Sequence, residues 1–145
     1  MQKIDQLFGL LKFCRTFGFF GVGFWVGEID FPPASKRVDI SFSAGRNGIS
    51  DKQRNFYQEV EQHYVEIIDR THKILYETLV QCMPAYCSEY TREEILEDFE
   101  LNNIHIPSFS EPNTEWSLSF MYVPHKESYS VYFDGWKPIY GFFDD

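Results

Sequence analysis

Apolar and polar residues alternate along two early segments of the chain, and this alternation predicts a β-hairpin. In F-W-V-G-E-I-D-F (24–31), Trp25, Ile29 and Phe31 fall on one side of a strand; in R-V-D-I-S-F-S every second residue from Val38 onward is apolar. The intervening P-P-A-S-K predicts a turn, because prolines cannot donate hydrogen bonds to a sheet ladder. We therefore expect two paired strands with one face toward a core.

The next segment, at about residues 50–82, has the 3.6-residue period of an amphipathic α-helix. Ser50 and Gln53 have the spacing of a capping box, in which the hydroxyl accepts from the third amide and the glutamine reaches back. Pro84 ends the pattern, since proline cannot continue a helix. The apolar stripe comprises Tyr57, Val60, Tyr64, Ile67, Ile68, Leu75 and Leu79. One long helix lying across a sheet is expected.

The last third of the chain predicts a short helix and then more strands. Thr91 and Glu94 form a second capping-box pattern, which predicts a helix at about 91–98. N-N-I-H-I-P predicts a short strand, and W-S-L-S-F-M-Y-V and S-Y-S-V-Y-F predict two longer ones. Asp134 and Gly135 form a turn dipeptide, and Pro138 confines the following segment to a sheet edge.

This order of elements predicts one α+β domain covering residues 1–145. Strands followed by helices and then strands favour an antiparallel β-sheet packed against the long helix, rather than a doubly wound parallel sheet. The start of the chain, from Met1 to about Phe17, is predicted to be helical, because Ile4, Leu7, Phe8 and Leu11 have helical spacing.

The charge of the chain limits the classes of partner that it is expected to bind. The net charge is −9, and it arises entirely in residues 83–145, which contain twelve acidic and three basic residues. Nucleic-acid binding is disfavoured because it needs a basic face, and binding to an anionic membrane is disfavoured for the same reason. A basic protein partner or a cation is favoured, with solubility alone as the alternative explanation of the acidity.

The cysteines and the apolar segments favour a cytoplasmic protein. Cys14, Cys82 and Cys87 are an odd number, which fits reduced thiols better than a disulfide framework. Cys82 and Cys87 have the spacing of half a zinc site, but a second pair is missing. The apolar run 17–26 is about half a membrane span, and no signal peptide is recognised. We predict no metal site and no cofactor.

No motif predicts catalysis, so we do not expect an enzyme. Gly18, Gly21 and Gly23 have the wrong order for a dinucleotide fingerprint, and no phosphate-binding loop or nucleophile elbow is present. His63 and His72 border opposite edges of the long helix's apolar stripe and cannot share a metal. Nothing in the sequence places a histidine beside a cysteine nucleophile.

Two groups of residues are candidates for binding a partner. Glu93, Glu94, Glu97 and Asp98 concentrate on the short helix, where they form a solvated face, a docking patch for a basic partner, or a carboxylate site. The aromatic end of the chain supplies the second group, which consists of Tyr132, Asp134, Trp136 and Tyr140. Surface aromatic side chains are common anchors of protein interfaces.

The segments W-V-G-E-I-D-F, V-D-I-S-F, S-D-K-Q-R-N-F-Y, W-S-L-S-F-M-Y and Y-S-V-Y-F-D-G also carry a resemblance. Together they resemble small bacterial α+β domains, which include uncharacterised families and immunity proteins of polymorphic-toxin and contact-dependent inhibition systems. The resemblance implies a cytosolic protein that binds and blocks a cognate toxin, such as one with a basic, nuclease-like active face. The alternatives are a non-catalytic domain that binds a small molecule or another protein and, less favoured, a small hydrolase.

Overall fold

The computed structural model describes residues 1–15, 23–110 and 114–144. In these residues, eight strands form one sheet whose spatial order follows the chain order. The strands are β1 (Gln2–Asp5), β2 (Gly9–Arg15), β3 (Gly23–Phe31), β4 (Lys36–Ser43), β5 (Phe99–Ile106), β6 (Trp116–Tyr122), β7 (Glu127–Asp134) and β8 (Lys137–Asp144). The helices are α1 (Asp51–Cys82), α2 (Pro84–Cys87) and α3 (Arg92–Glu97). The predicted α+β class is confirmed.

The predicted N-terminal helix is wrong, because residues 2–15 form the β1–β2 hairpin. Gly9 begins β2 with φ 72°, a left-handed conformation that turns the chain back at little steric cost. Phe8 and Leu11 enter the core, whereas Ile4 is 85% exposed. The remaining part of the predicted helix, and Gly18 and Gly21, lie outside the described residues.

The carboxylate of Asp5 holds the turn of this hairpin in place. Its Oδ1 accepts hydrogen bonds from the backbone N–H groups of Leu7 (2.8 Å) and Phe8 (3.2 Å). Its Oδ2 accepts from Nε (3.0 Å) and Nη2 (2.8 Å) of Arg54 on α1. The hairpin is thereby fixed to the first turns of the long helix.

The predicted hairpin of β3 and β4 is confirmed, with register from Phe24↔Ser43 to Phe31↔Lys36. A 3₁₀ turn, Pro32–Ala34, joins the two strands. The other described neighbours are antiparallel too, except that β4 and β5 run parallel. The chain leaves the sheet between them to form all three helices and returns at the opposite end, so β5 runs in the same direction as β4.

The predicted cap of α1 is present, and it also fastens two loops. Ser50 Oγ accepts from Gln53 N (3.1 Å), and Gln53 Oε1 accepts from Ser50 N (2.9 Å). Gln53 Nε2 then donates to the carbonyl oxygens of Ser43 and Pro107, both at 2.9 Å. Gln53 is 1% exposed, so these bonds form inside the protein.

The core lies between α1 and one side of the sheet, which we call the helix face. Every predicted stripe residue of α1 except the half-buried Ile68 is fully buried there. Each strand from β3 to β7 contributes alternate residues, as the sequence predicts, and those of β6 and β7 are Trp116, Leu118, Phe120, Tyr122, Tyr129, Val131 and Phe133. The opposite side of the sheet is called the outer face. Among the described residues, no helix is both long and apolar enough to span a membrane.

Candidate functional site

The predicted acidic residues lie together on and beside α3. Glu93, Glu94, Glu97 and Asp98 are all exposed. Glu94 also has a structural role, because its Oε1 accepts from Thr91 N (3.1 Å) in the predicted capping box. The other three carboxylates remain on the surface, and we call them with Glu94 the α3 patch.

Tyr132 and Tyr140 face each other across β7 and β8 on the outer face. Their rings stack with centroids 4.9 Å apart and an angle of 15° between planes. The hydroxyl of Tyr140 donates to Glu115 Oε2 at 2.9 Å. Burial and the hydrogen bond to Glu115 raise the pKa of Tyr140 above its ordinary value. Tyr140 is still 44% exposed, and its neighbour Phe142 on the same face is 55% exposed.

Trp136 lies on the other side of the sheet. It stacks on Phe56 (centroids 5.3 Å apart, 4° between planes) and on His63 (4.3 Å, 23°), both on α1. It is half-buried, and it covers the end of the core beside Trp116. Asp134 is exposed at the end of β7, just before the tight turn that Gly135 and Trp136 form.

The fold separates the two predicted groups instead of bringing them together. Phe99, directly after the α3 patch, pairs with Tyr122 at one end of β6. Phe133, beside Tyr132 and Asp134, pairs with Trp116 at the other end. Six residue steps at about 3.3 Å each separate these ends by about 20 Å. The predicted residues therefore form two surfaces, not one.

The outer face carries more negative than positive charge. The register of the described strands places six carboxylates on it, namely Glu28, Asp30, Asp39, Glu100, Asp134 and Asp144. It places three cations there, namely Lys12, Arg37 and Lys137. Arg37 is already paired, with Nε 2.8 Å from Glu28 Oε1 and Nη1 3.0 Å from Asp30 Oδ1. No described helix covers this side of the sheet.

A histidine bonded to two serines lies near the middle of the outer face, and the sequence reasoning missed it. His105 Nδ1 is 2.8 Å from Ser41 Oγ, and its Nε2 is 3.1 Å from Ser43 Oγ. Burial lowers the pKa of His105, so its ring is neutral at pH 7. The strand alternation places Ser41 and Ser43 on one side of β4, but only the parallel pairing with β5 puts His105 beside them.

Serines continue across the outer face toward the end of the chain. Ser119 Oγ is 2.8 Å from Ser130 Oγ, and Ser130 donates to Asp144 Oδ2 at 2.6 Å. These bonds join β6, β7 and β8. Because serine side chains are short, they project less from this part of the outer face than the neighbouring rings of Tyr132 and Tyr140.

The remaining candidate residues show no metal-binding arrangement within the described ranges. His63 contacts Glu66 Oε2 at 3.1 Å, and His72 packs near Phe120 on the other margin of α1. Cys14, Cys82 and Cys87 are free thiols. Burial raises the pKa of the Cys87 thiol, which makes it a poorer nucleophile.

No protein-family model matches the chain, and no curated protein or solved structure matches it significantly.

Proposed function

We propose that this chain is a non-catalytic protein-binding domain of the immunity type, which neutralises a cognate bacterial toxin by covering a basic active face. The observation that carries the proposal is the outer face. It combines exposed aromatic rings with an excess of carboxylates, on a side of the sheet that no described helix covers.

The exposed rings supply the anchors in this proposal. Tyr140 and Phe142 are next-but-one neighbours on β8, so both project from the outer face, and Tyr132 supports Tyr140 by stacking. Aromatic side chains that become buried in an interface carry a large share of its binding free energy.

The carboxylates supply the preference for a basic partner. Asp134 and Asp144 flank the rings at the two ends of β8, and the α3 patch adds four charges about 20 Å away. Acidic surfaces speed association with a basic partner and disfavour acidic ones. The same charge disfavours nucleic acid and anionic membranes as partners. A cytoplasmic location agrees with this role and is part of the proposal.

The test is co-expression of the chain with the protein encoded by the adjacent gene. We expect the two proteins to co-purify, and we expect the chain to restore growth of cells that express this neighbour as a toxin. The Tyr140→Ala/Phe142→Ala variant is expected to lose both effects while remaining folded. An adjacent gene product that is not toxic, or protection that persists in this variant, would contradict the proposal. Strong thermal stabilisation by a metabolite would favour a small-molecule-binding domain instead.

One observation favours a second candidate, a small hydrolase. A serine hydroxyl 2.8 Å from a neutral imidazole, as in Ser41 and His105, can be activated by proton transfer to the ring. However, the other ring nitrogen contacts Ser43, and no described carboxylate orients the imidazole. Ester hydrolysis that is lost in Ser41→Ala, but not in Ser43→Ala, would support this candidate.

A further inference from the structure

The sheet contains a gap beside β3. The ladder between β2 and β3 ends at the pair Lys12↔Val26, although β3 continues to Phe31. The hairpin still contacts β3 at Gly27, where an added Cβ would lie 3.0 Å from Leu10 O, and no further ladder pair follows. A cleft of about 920 Å³ lies between the hairpin and residues 26–30 of β3.

The edge of β3 in this cleft offers main-chain hydrogen bonds. Gly23 O accepts from Ala44 N (3.2 Å) on the β4 side, and main-chain groups alternate in direction along a strand. Gly27 and Ile29 therefore point their main-chain groups toward β4, whereas Glu28 and Asp30 point theirs toward the cleft. Glu28 O already accepts a long hydrogen bond from Arg37 Nη2 (3.4 Å), so a peptide strand would bind mainly through Glu28 N–H and the main-chain groups of Asp30. Among the described residues, no strand pairs with Glu28 or Asp30 on the cleft side.

The two sides of the cleft differ in chemistry. Toward the outer face its walls carry the carboxylates of Glu28, Asp30 and Asp39. Toward the helix face the walls are mainly Phe8, Ile29 and Tyr57, which are largely buried, and Glu61 lies beside them. The lining holds four carboxylates and two cations, Lys12 and Arg37, so its net charge is −2.

We propose that the cleft binds an extended peptide segment that adds a strand to the edge of β3 and carries basic side chains alternating with apolar ones. Side chains of a strand alternate between faces. Basic residues would meet Asp39 and the carboxylates of Glu28 and Asp30, which share Arg37. Apolar residues would meet the small exposed parts of Phe8 and Ile29. Main-chain hydrogen bonds provide affinity in this mode of recognition, and the alternate side chains provide specificity. The inference deepens the proposed function and rests on it for the source of the segment, which is the basic partner.

The test uses a heptapeptide with lysine at odd positions and valine at even positions, added to the isotope-labelled full chain. Before addition, the amides of Glu28 and Asp30 are expected to exchange with solvent faster than those of Gly27 and Ile29. At saturation, exchange at Glu28 and Asp30 should slow at least tenfold. A peptide that is N-methylated at alternate residues should not bind, because it lacks the strand's donors, and a glutamate–valine peptide should not bind because of its charge.

Variants of the chain show where the peptide binds. Glu28→Gln/Asp39→Asn should weaken binding of the lysine–valine peptide at least tenfold. Asp69→Asn/Glu77→Gln, which removes two exposed carboxylates on α1 outside the cleft, should leave the affinity unchanged within about twofold. Absence of binding, equal binding of the N-methylated peptide, or equal loss in both variants would overturn the inference. Exchange at the amides of Glu28 and Asp30 that slows with rising protein concentration, in the absence of peptide, would also overturn the inference. The occupant of the cleft would then be a second copy of the chain. No toxin is present, so failure here is distinguishable from failure of the proposed function.

Discussion

The hydroxyl of Thr78 on α1 lies directly against the Cα of Gly141 on β8. A Cβ at position 141 would overlap Thr78 Oγ1 and lie 3.0 Å from Ile74 Cγ2. Thr78 Oγ1 is itself held by a hydrogen bond to Ile74 O (2.7 Å). Glycine at position 141 therefore sets how closely the long helix packs on the last strand.

Gly141→Ala is expected to lower the free energy of unfolding by about 1–3 kcal/mol, because the added methyl group must displace the helix. Chemical denaturation measures the change. Thr78→Ala in the same chain should recover part of the loss, since it removes the overlapping oxygen. A loss of equal size with and without Thr78→Ala would show that the contact is not the cause.

The partly buried ion pair of Asp5 and Arg54 should make the stability of the fold depend on pH in the acidic range. Burial raises the pKa of Asp5, but the hydrogen bonds from Arg54 and from the amides of Leu7 and Phe8 outweigh it, so the pKa is lowered from 3.8. The pair then stabilises the fold fully above pH 3.8 and loses this effect as the pH falls through the lower, folded-state pKa.

Urea unfolding of the wild type and of Asp5→Asn at pH 7 and pH 3 measures this effect. We expect the wild type to lose more free energy of unfolding between the two pH values than the variant, because the variant lacks the titrating group. Equal losses would contradict the account. At pH 7 the variant should be less stable by about 1–3 kcal/mol.

Gln53 should contribute more to the free energy of unfolding than a capping residue at the surface does. Gln53→Leu removes both donors to the carbonyl oxygens of Ser43 and Pro107, which remain buried and unsatisfied. We expect a loss of about 2–4 kcal/mol in free energy of unfolding. Thr91→Ala, which disrupts the cap of α3 at the surface, is the matched control and should cost about 1 kcal/mol. A ranking in the opposite order would contradict the role assigned to Gln53.

Truncation of Trp136 should destabilise the fold more than truncation of Tyr140. Trp136→Ala removes stacking on Phe56 and His63 and is expected to cost about 2–3 kcal/mol of stability. Tyr140→Ala removes a ring that is 44% exposed and should cost less than half as much. Thermal unfolding compares the two. A larger loss of stability for Tyr140→Ala would contradict the prediction, because the ring on the outer face would then be the one that stabilises the fold.

Periodicity predicts most of the fold because it reports which side of an element is buried. It fails for the first strands, since Ile4, Leu7, Phe8 and Leu11 have a spacing that also fits a helix. The structure differs because the left-handed Gly9 permits a tight turn and Asp5 binds its amides. Short apolar segments leave this choice to such local contacts.

The candidate surfaces could be predicted only in part. Alternation correctly separates Tyr132 from Tyr129 and Phe133, which are buried. The phase of Tyr140 could not be predicted, because the irregular register between Tyr132 and Phe133 leaves Ile139 without an opposite residue. The cleft beside β3 depends on where a ladder between two strands ends, and this is a tertiary property without a periodic signal.

The most direct test of the central claim is calorimetric titration of the chain with the purified toxin domain from the adjacent gene. The claim predicts that Tyr140→Ala/Phe142→Ala raises Kd at least 100-fold, since two anchors worth about 2 kcal/mol each are removed. The matched control is Val65→Ala/Tyr90→Ala, which truncates two exposed side chains, one on α1 and one between α2 and α3, and should change Kd less than about threefold. Unchanged affinity in the first variant, or an equal loss in the control, would contradict the claim that the outer face binds the partner.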